Sequence, residues 1–465
     1  MFSITFLGAA ENVTGSRHLL QLGDKKFLID CGIYQERDFL SRNWEDFPVE
    51  PESIDAVFLT HAHLDHCGFL PRLVKSGFNG PVYATAPTIE IAKIALLDAA
   101  KLYQEDAEKK RMRHLLSGRK VDHPVVPLYT QDDAYNVFEL FREIPCNQEF
   151  EVADGYSLTC HNAGHILGSA IFEFQNKTTG KNLVFTGDLG RPNRPLLPEP
   201  ERLSKIDYLV MESTYGDRVH ESDEITYKTV ASTITETAEK SGNIVVPSFA
   251  IERTQELLYC LKKLLSEDRI PHLMTFIDSP MAIKVTEVFK RYPEFLRESL
   301  KKMAKENNSP FEMELLQPTE TVEQSKSINH VKGSVIIIAG SGMCTGGRIK
   351  HHLVTNISRP ESTIMFVGYQ ATGTLGREII SGKKQVRILG EYRQVNANIV
   401  QVNGFSSHAD QNEILWWLEF LERPPINTFL VHGEQPAIMK LKDVLMERKS
   451  INANIAEYQT TVGLE

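Results

Sequence analysis

Four potential metal ligands stand within six residues of this chain, in Thr60-His61-Ala62-His63-Leu64-Asp65-His66, directly behind the apolar run Ala56–Leu59. Packing gives no reason to gather three imidazoles and a carboxylate there, because each loses hydration and must find a partner. Imidazole and carboxylate are common donors to zinc, three or four to an ion. Four on so short a loop would crowd one ion, so sharing between two is the natural geometry. A chain that carries this loop must hold it at the end of a strand, where open α/β sheets gather their polar residues.

Three further residues repeat that placement. His165 lies in Asn162-Ala163-Gly164-His165-Ile166-Leu167-Gly168-Ser169, whose glycines let the backbone turn and present a ring. Asp188 follows the apolar run Leu183–Thr186, and His432 follows Asn427–Val431. With the 61–66 cluster they complete a ligand set for two metals. His161 is an outside candidate through its nearness to His165. His18, His114, His123, His220, His272, His330, His351 and His352 have no such setting and read as structural or surface residues.

The rest of the chain reads as α/β. Phe2, Ile4 and Phe6 alternate with Ser3 and Thr5, a first strand. Residues 1–210 then alternate short strand runs with loops. One long helical stretch, about Pro87 to His114, turns to mixed charges after Lys101 and reads as a solvated face. Over 211–395 the texture becomes strand-then-helix units, at Asn243–Val246, Leu273–Ile277, Ser334–Ala339 and Thr363–Val367, which predicts a parallel sheet. Residues 396–465 return to strands with polar ends, at Ile399–Val402 and Asn427–Val431, and a helix from Gln435. No low-complexity linker marks either junction, so the middle segment reads as a domain inserted into another.

His61-x-His63-x-Asp65-His66, His165, Asp188 and His432, with Asp30 earlier, resemble the motifs of the metallo-β-lactamase superfamily. Glu212 in Met211-Glu212-Ser213-Thr214-Tyr215-Gly216 and His408 in Phe405-Ser406-Ser407-His408-Ala409-Asp410 resemble its nucleic-acid-processing branch, the β-CASP nucleases. Members most like this chain are bacterial and archaeal relatives of the endonuclease subunit of the cleavage and polyadenylation specificity factor. The resemblance implies a metallo-β-lactamase αββα sandwich, in 1–210 and 396–465, carrying an inserted β-CASP α/β domain of mostly parallel sheet. It also implies two Zn²⁺ per chain: His61, His63 and His165 on one, Asp65, His66 and His432 on the other, and Asp188 bridging. Asp30 would orient the ligand loop, while His408 would donate a proton and Glu212 would orient it. Asp65, Asp188, Glu212 and His408 are thus the expected catalytic residues.

The activity so implied is ribonuclease: hydrolysis of RNA phosphodiester bonds by a metal-bridged hydroxide, leaving 5′-phosphate and 3′-hydroxyl ends, endo- or exonucleolytically. Single-stranded RNA is the expected partner, and dimerisation, common among relatives, could use the strand after Asn452. The additional N-terminal RNA-binding domain of many archaeal members is not expected, and Cys67 stands where many relatives have Ser. A DNA-processing nuclease, a small-molecule hydrolase and a non-catalytic scaffold are the alternatives. A small-molecule hydrolase would not account for Glu212, His408 or the insert, and a scaffold would be expected to have lost ligands.

Two loops share a Thr-x-Gly-Arg or Thr-Gly-Gly-Arg ending: Gly340 to Arg348 and Gly368 to Arg377. Glycine loops behind strands can turn their N–H groups toward a phosphate, so Ser341, Gly342, Arg348 and Arg377 are candidate substrate contacts. Ser248 and Ser406 are lesser ones, as is Arg253. Composition first argues the other way, since 51 Lys and Arg against 61 Asp and Glu leave a net charge of −10. Yet residues 326–393 hold ten Lys or Arg against three acids, a net of +7, so the cations concentrate around the proposed phosphate loops. Six widely spaced cysteines without a C-x-x-C predict neither disulfide framework nor zinc ribbon, and point to a reducing cytoplasm. The longest strongly apolar run, about Val335–Ala339, is far too short for a membrane span.

Overall fold

The computed structural model describes residues 2–117, 125–306, 308–371 and 373–464, so His123 and Thr372 lie outside the described residues. The chain divides into two compact units. The first comprises Met1–Arg194, Pro198–Val219 and His408–Glu465; the second comprises Pro195–Leu197 and His220–Ser407.

In the first unit the alternation at the N-terminus does what its period requires. Phe2, Ile4 and Phe6 are buried while Ser3 and Thr5 are half-buried. That strand belongs to a seven-stranded sheet ordered Thr461–Leu464, Phe2–Phe6, His18–Leu22, Lys25–Ile29, Ala56–Phe58, Val82–Ala84, Phe141–Glu143. Its first three junctions are antiparallel and the rest parallel. A second seven-stranded sheet runs Ala453–Ile455, Asn427–Val431, Tyr208–Glu212, Asn182–Phe185, Ala170–Asn176, Tyr156–Asn162, Glu149–Ala153. Here the first three junctions are parallel and the others antiparallel.

The sheets meet face to face. Ile4, Phe6, Phe27, Ile29 and Phe58 from the first share one core with Leu158, Phe172, Phe174, Leu183, Phe185, Val210 and Phe429 from the second. The intervening residues of the second sheet, among them Val184, Leu209, Met211 and Leu430, pack against Ile414, Trp417, Leu418, Ile438 and Leu441 of helices Gln411–Leu418 and Gln435–Lys449. Trp417 is therefore core. The helix Ala86–Ser117 is buried along its first half, at Ile91, Ala95 and Leu96, and exposed at Leu102, Met112 and Leu116.

The second unit is built on a six-stranded sheet ordered Leu316–Pro318, Met274–Asp278, Val335–Ala339, Ile244–Pro247, Thr363–Phe366, Asn398–Gln401, parallel at every junction. Parallel strands covered on both faces need continuous apolar sequence, and all five residues of Val335–Ala339 are buried. One expectation is corrected here. The strand at Ile399–Val402, which the sequence assigns to the return segment 396–465, extends this sheet: Asn398–Gln401 pairs with Thr363–Phe366, and the chain rejoins the first unit at His408. A short strand's own pattern does not name its partner, and no change in composition marks this junction. No helix among the described residues is long and apolar enough to cross a membrane.

Candidate metal centre

In the first unit, the parallel strands deliver the polar residues. Asp30 follows Lys25–Ile29, the 61–66 loop follows Ala56–Phe58, Asp188 follows Asn182–Phe185, Glu212 ends Tyr208–Glu212, and His432 follows Asn427–Val431. His165 comes from the turn between the antiparallel strands Tyr156–Asn162 and Ala170–Asn176, where its N–H donates to Ser169 Oγ at 3.0 Å. Asp65 and His66 lie on the helical turn Leu64–Cys67. Its backbone is pinned to the first sheet by Ser16 N–H to Asp65 O, 2.8 Å, and Cys31 N–H to His66 O, 2.6 Å. Gly187, at φ 53°, is required next to Asp188, because a Cβ there would fall 2.6 Å from Thr60 Cβ.

Two groups of ligand atoms result. His63 Nδ1 lies 3.1 Å from His61 Nε2 and 3.2 Å from His165 Nε2. His66 Nε2 and His432 Nε2 are 3.2 Å apart, and His432 Nε2 is 3.4 Å from Asp65 Oδ2. Donors about 2.0–2.1 Å from a tetrahedral zinc are themselves roughly 3.4 Å apart, so each group has the spacing of one ion's coordination edge. Asp188 joins them. Its Oδ2 lies 3.3 Å from His61 Nε2 and 3.4 Å from His165 Nε2, while its Oδ1 lies 3.2 Å from His66 Nε2.

The chemistry of this donor set fits a pair of cations. Asp188 is buried, and its oxygens face imidazole nitrogens of both groups. A buried carboxylate is strongly disfavoured unless positive charge compensates it. The surrounding imidazoles do hold Asp188 well below the usual carboxylate range, against the upward pull of burial. Burial brings His61 down to about 3 and His63 to about 4, and takes His165 well below its ordinary value, so their lone pairs are free for a metal. His66 and His432 behave differently: burial would lower both, but Asp188 and Asp30 raise His66 well above the ordinary imidazole value, and Asp188 and Asp65 raise His432. Those protons are what a cation would displace.

The rings are also oriented from behind. Asp30 Oδ2 receives His66 Nδ1 at 2.7 Å and the Thr60 hydroxyl at 2.8 Å, and Thr60 Oγ1 lies 3.0 Å from His61 Nδ1. Thr214 Oγ1 stands 3.0 Å from His432 Nδ1. Sequence reasoning misses Thr60 and Thr214 as functional residues, since a threonine at a strand end is ordinary and nothing in its neighbours announces which ring it holds.

Beside the two groups, His408 Nδ1 donates to Glu212, 3.0 Å from Oε2 and 3.2 Å from Oε1, and sits 3.8 Å from Asp188 Oδ2. Glu212 is fully buried and also receives the N–H of Leu189 at 2.5 Å, so it fixes the Asp188 loop as well. The His408 side chain stays 20% exposed, enough to be reached. Burial would lower its pKa, but Glu212 and Asp188 outweigh that and raise it to about 9.

The other candidates are not all brought to use. His161 is paired with Glu173 at 2.9 Å and Glu201 at 3.2 Å, away from the ligand groups. Ser341, Gly342, Arg348, Arg377, Ser248 and Ser406 belong to the second unit. Two of these expectations are corrected. The Arg348 guanidinium faces inward, donating to Asp278 Oδ1 at 2.7 Å and to the carbonyls of Thr319 and Glu320 at 2.9 and 2.6 Å. Ser248 is buried, its hydroxyl bonded to Thr254 and to the carbonyl of Phe249. Arg253 donates to the carbonyl of Val367. Ser341 Oγ accepts the N–H of Thr345 at 3.1 Å, Ser406 is buried, and Arg377 is exposed.

A four-layer sandwich with clustered His and Asp ligands at its strand ends defines a metallo-hydrolase, and the chain is an enzyme of that class. Three family models match it: a metallo-beta-lactamase superfamily domain over 19–190, a Beta-Casp domain over 254–379 and a Zn-dependent metallo-hydrolase RNA specificity domain over 392–456. Ribonuclease TTHA0252 of Thermus thermophilus is 37% identical over 441 residues, 95% of each chain. Transcription termination factor FttA of Methanosarcina mazei is 30% identical over 99% of this chain and 71% of that one, and its namesake in Methanocaldococcus jannaschii is 32% identical over 95% and 68%. A crystal structure of a protein of unknown function from Enterococcus faecalis shares the fold alone, with a TM-score of 0.55 at 12% identity over the full length of both chains. The chain belongs to the β-CASP family of the metallo-β-lactamase superfamily.

Proposed function

We propose that this protein is a ribonuclease that hydrolyses RNA phosphodiester bonds with two zinc ions, leaving 5′-phosphate and 3′-hydroxyl ends, in RNA processing or decay in the cytoplasm. The observation that carries the reading is Asp188, a buried carboxylate whose two oxygens face imidazole nitrogens of two separate groups of ligands, Oδ2 at 3.3 Å from His61 and Oδ1 at 3.2 Å from His66. In this reading His61, His63 and His165 would hold one ion, Asp65, His66 and His432 the other, and Asp188, which faces both groups, would serve both. A bound zinc pair lowers the pKa of a shared water and neutralises charge on phosphoryl oxygens.

The chain's own groups supply the rest. Asp188 fixes the spacing of the two ligand groups, and Asp30 keeps the rings of His61 and His66 aimed through Thr60 and directly. His408, held by Glu212, donates from its exposed edge to the departing alkoxide, a step worth roughly 10²–10⁴-fold. RNA as substrate is supported by the ribonuclease relative and by the family model named for RNA specificity. The edge strand Ala453–Ile455, paired on one side only, is where a second copy would add; a monomeric mass by light scattering removes that part.

Incubating end-labelled single-stranded RNA and DNA with the zinc-loaded protein, and mapping cut positions and end groups, tests the reading. RNA cleavage leaving 5′-phosphates is expected. Preferential cutting of DNA, or 3′-phosphate products, would overturn it.

A further inference from the structure

The carboxyl ends of a parallel sheet are where α/β folds place their ligands, and in the second unit three neighbouring strands, Val335–Ala339, Ile244–Pro247 and Thr363–Phe366, bring three loops together there. Phe249 stands just past the end of the central strand. Its backbone is fixed on both sides. The N–H of Ser248 donates to Ala339 O at 3.0 Å, and the hydroxyls of Ser248 and Thr254 both donate to the Phe249 carbonyl, at 3.2 and 2.7 Å.

The ring is seated on the two glycine loops. A Cβ on Gly342 would fall 2.6 Å from it, and one on Gly368 would fall 3.3 Å from it. Neither glycine has a positive φ, so the close ring, not the backbone conformation, is what bars a side chain at Gly342 and crowds one at Gly368. The seat is one piece: Gln370 Nε2 donates to the carbonyls of Gly342 and Gly368 at 3.0 and 3.1 Å, and the N–H of Gly376 donates to Met343 O at 3.1 Å. Phe249 is no part of the unit's core of Val245, Ile337, Ile364 and Phe366. Despite being held so firmly, it keeps 36% of its surface in solvent. The loop that ends in exposed Arg377 is tied to the same seat.

We propose that Phe249 is a stacking platform for an unpaired nucleobase of the substrate strand, with Gly342 and Gly368 as its seat; this rests on the RNA reading above. An aromatic ring accepts any base, because every base has a π-face. A ring already immobilised loses little side-chain freedom on binding. Both seat glycines belong to the segment 326–393, whose net charge of +7, with Arg348 taken up by Asp278, favours a polyanion.

The test is fluorescence anisotropy of a short labelled phosphorothioate RNA, single-stranded, with the zinc-loaded full chain and three variants. Phe249→Leu keeps the bulk and loses the π-face, and should bind roughly 5- to 100-fold more weakly. Phe249→Trp should bind like the parent, and Gly342→Ala, which pushes the ring off its seat, should weaken binding as the leucine variant does. Removing bases one at a time from the RNA should expose one position at which the parent loses affinity and Phe249→Leu loses none. Equal RNA affinity of the parent and Phe249→Leu overturns the platform while leaving the RNA reading intact; a parent that neither binds nor cuts RNA overturns that reading itself. If melting shows that Phe249→Leu does not fold, the base-removal series on the parent decides alone, and the absence of any sensitive position overturns the proposal.

Discussion

Asp30 accepts His66 Nδ1 directly and reaches His61 Nδ1 through the Thr60 hydroxyl, so one carboxylate sets the tautomer of two rings. With each Nδ1 held from behind, each Nε2 is the nitrogen turned to the site, a free lone pair on His61 and, on His66, one exposed when a cation displaces the proton. Thr60→Val keeps the shape and removes the relay, and should weaken metal binding about 10- to 100-fold, read by competition with a zinc chelator; unchanged affinity would show that packing alone orients His61. His408→Ala tests the opposite role. It should retain zinc and lose roughly 10²–10⁴-fold in kcat on RNA, whereas Asp188→Ala should lose both metal and cleavage. Full activity in the His408 variant would end its assignment as proton donor. At this scale the candidate ligands are legible in the sequence, because packing gives no reason to gather imidazoles behind a buried strand. The threonines are not, since their function depends on which ring lies across the turn.

Among the elements, the sheet of the second unit is closed at its carboxyl edge by Asp278. This fully buried carboxylate receives Thr319 and Ser325 hydroxyls at 2.6 Å, His352 Nε2 at 2.6 Å and the Arg348 guanidinium at 2.7 Å. It thereby ties the end of Met274–Asp278 to the glycine loop behind Val335–Ala339. Burial would raise its pKa, but those four donors outweigh it and hold the group below the usual carboxylate range. A depressed native pKa stabilises the fold above the unfolded value of about 3.9, and that stabilisation is lost as pH falls below it. Asp278→Ala should therefore cost about 3–5 kcal/mol at pH 7, and the gap to the parent should narrow in urea melts as pH falls below about 4. Parallel pH curves would show that the cluster is not the cause. The strand-helix order of this unit was readable from its apolar runs. The inward turn of Arg348 was not, because a glycine loop ending in arginine looks the same whether its acceptor is a phosphate outside or Asp278 inside. The misassigned strand Asn398–Gln401 has the same origin: its partner Thr363–Phe366 is a matter of sheet order, which a local pattern does not carry.

For the molecule as a whole, the metal centre joins distant parts of one chain. His61 to Asp188 come from the first segment of the sandwich and His432 from the last, which also supplies the strand Asn427–Val431 beside Tyr208–Glu212. Ions bound only when these segments are docked stabilise the first unit by mass action, by about 4 kcal/mol when free metal is 1,000 times its dissociation constant. Removing them also leaves the buried Asp188 without that compensating charge. No ligand cluster of this kind occurs in the second unit among the described residues. Calorimetry with and without a zinc chelator should therefore resolve a metal-dependent transition, belonging to the sandwich, that falls by about 10 °C at roughly 2–4 °C per kcal/mol, and a second transition that stays in place. Asp278→Ala should move the second and leave the first. If chelation shifts both transitions equally, or neither, then the metal is not what holds the return segment to the sandwich, and the stability of that unit rests on its two-sheet core alone.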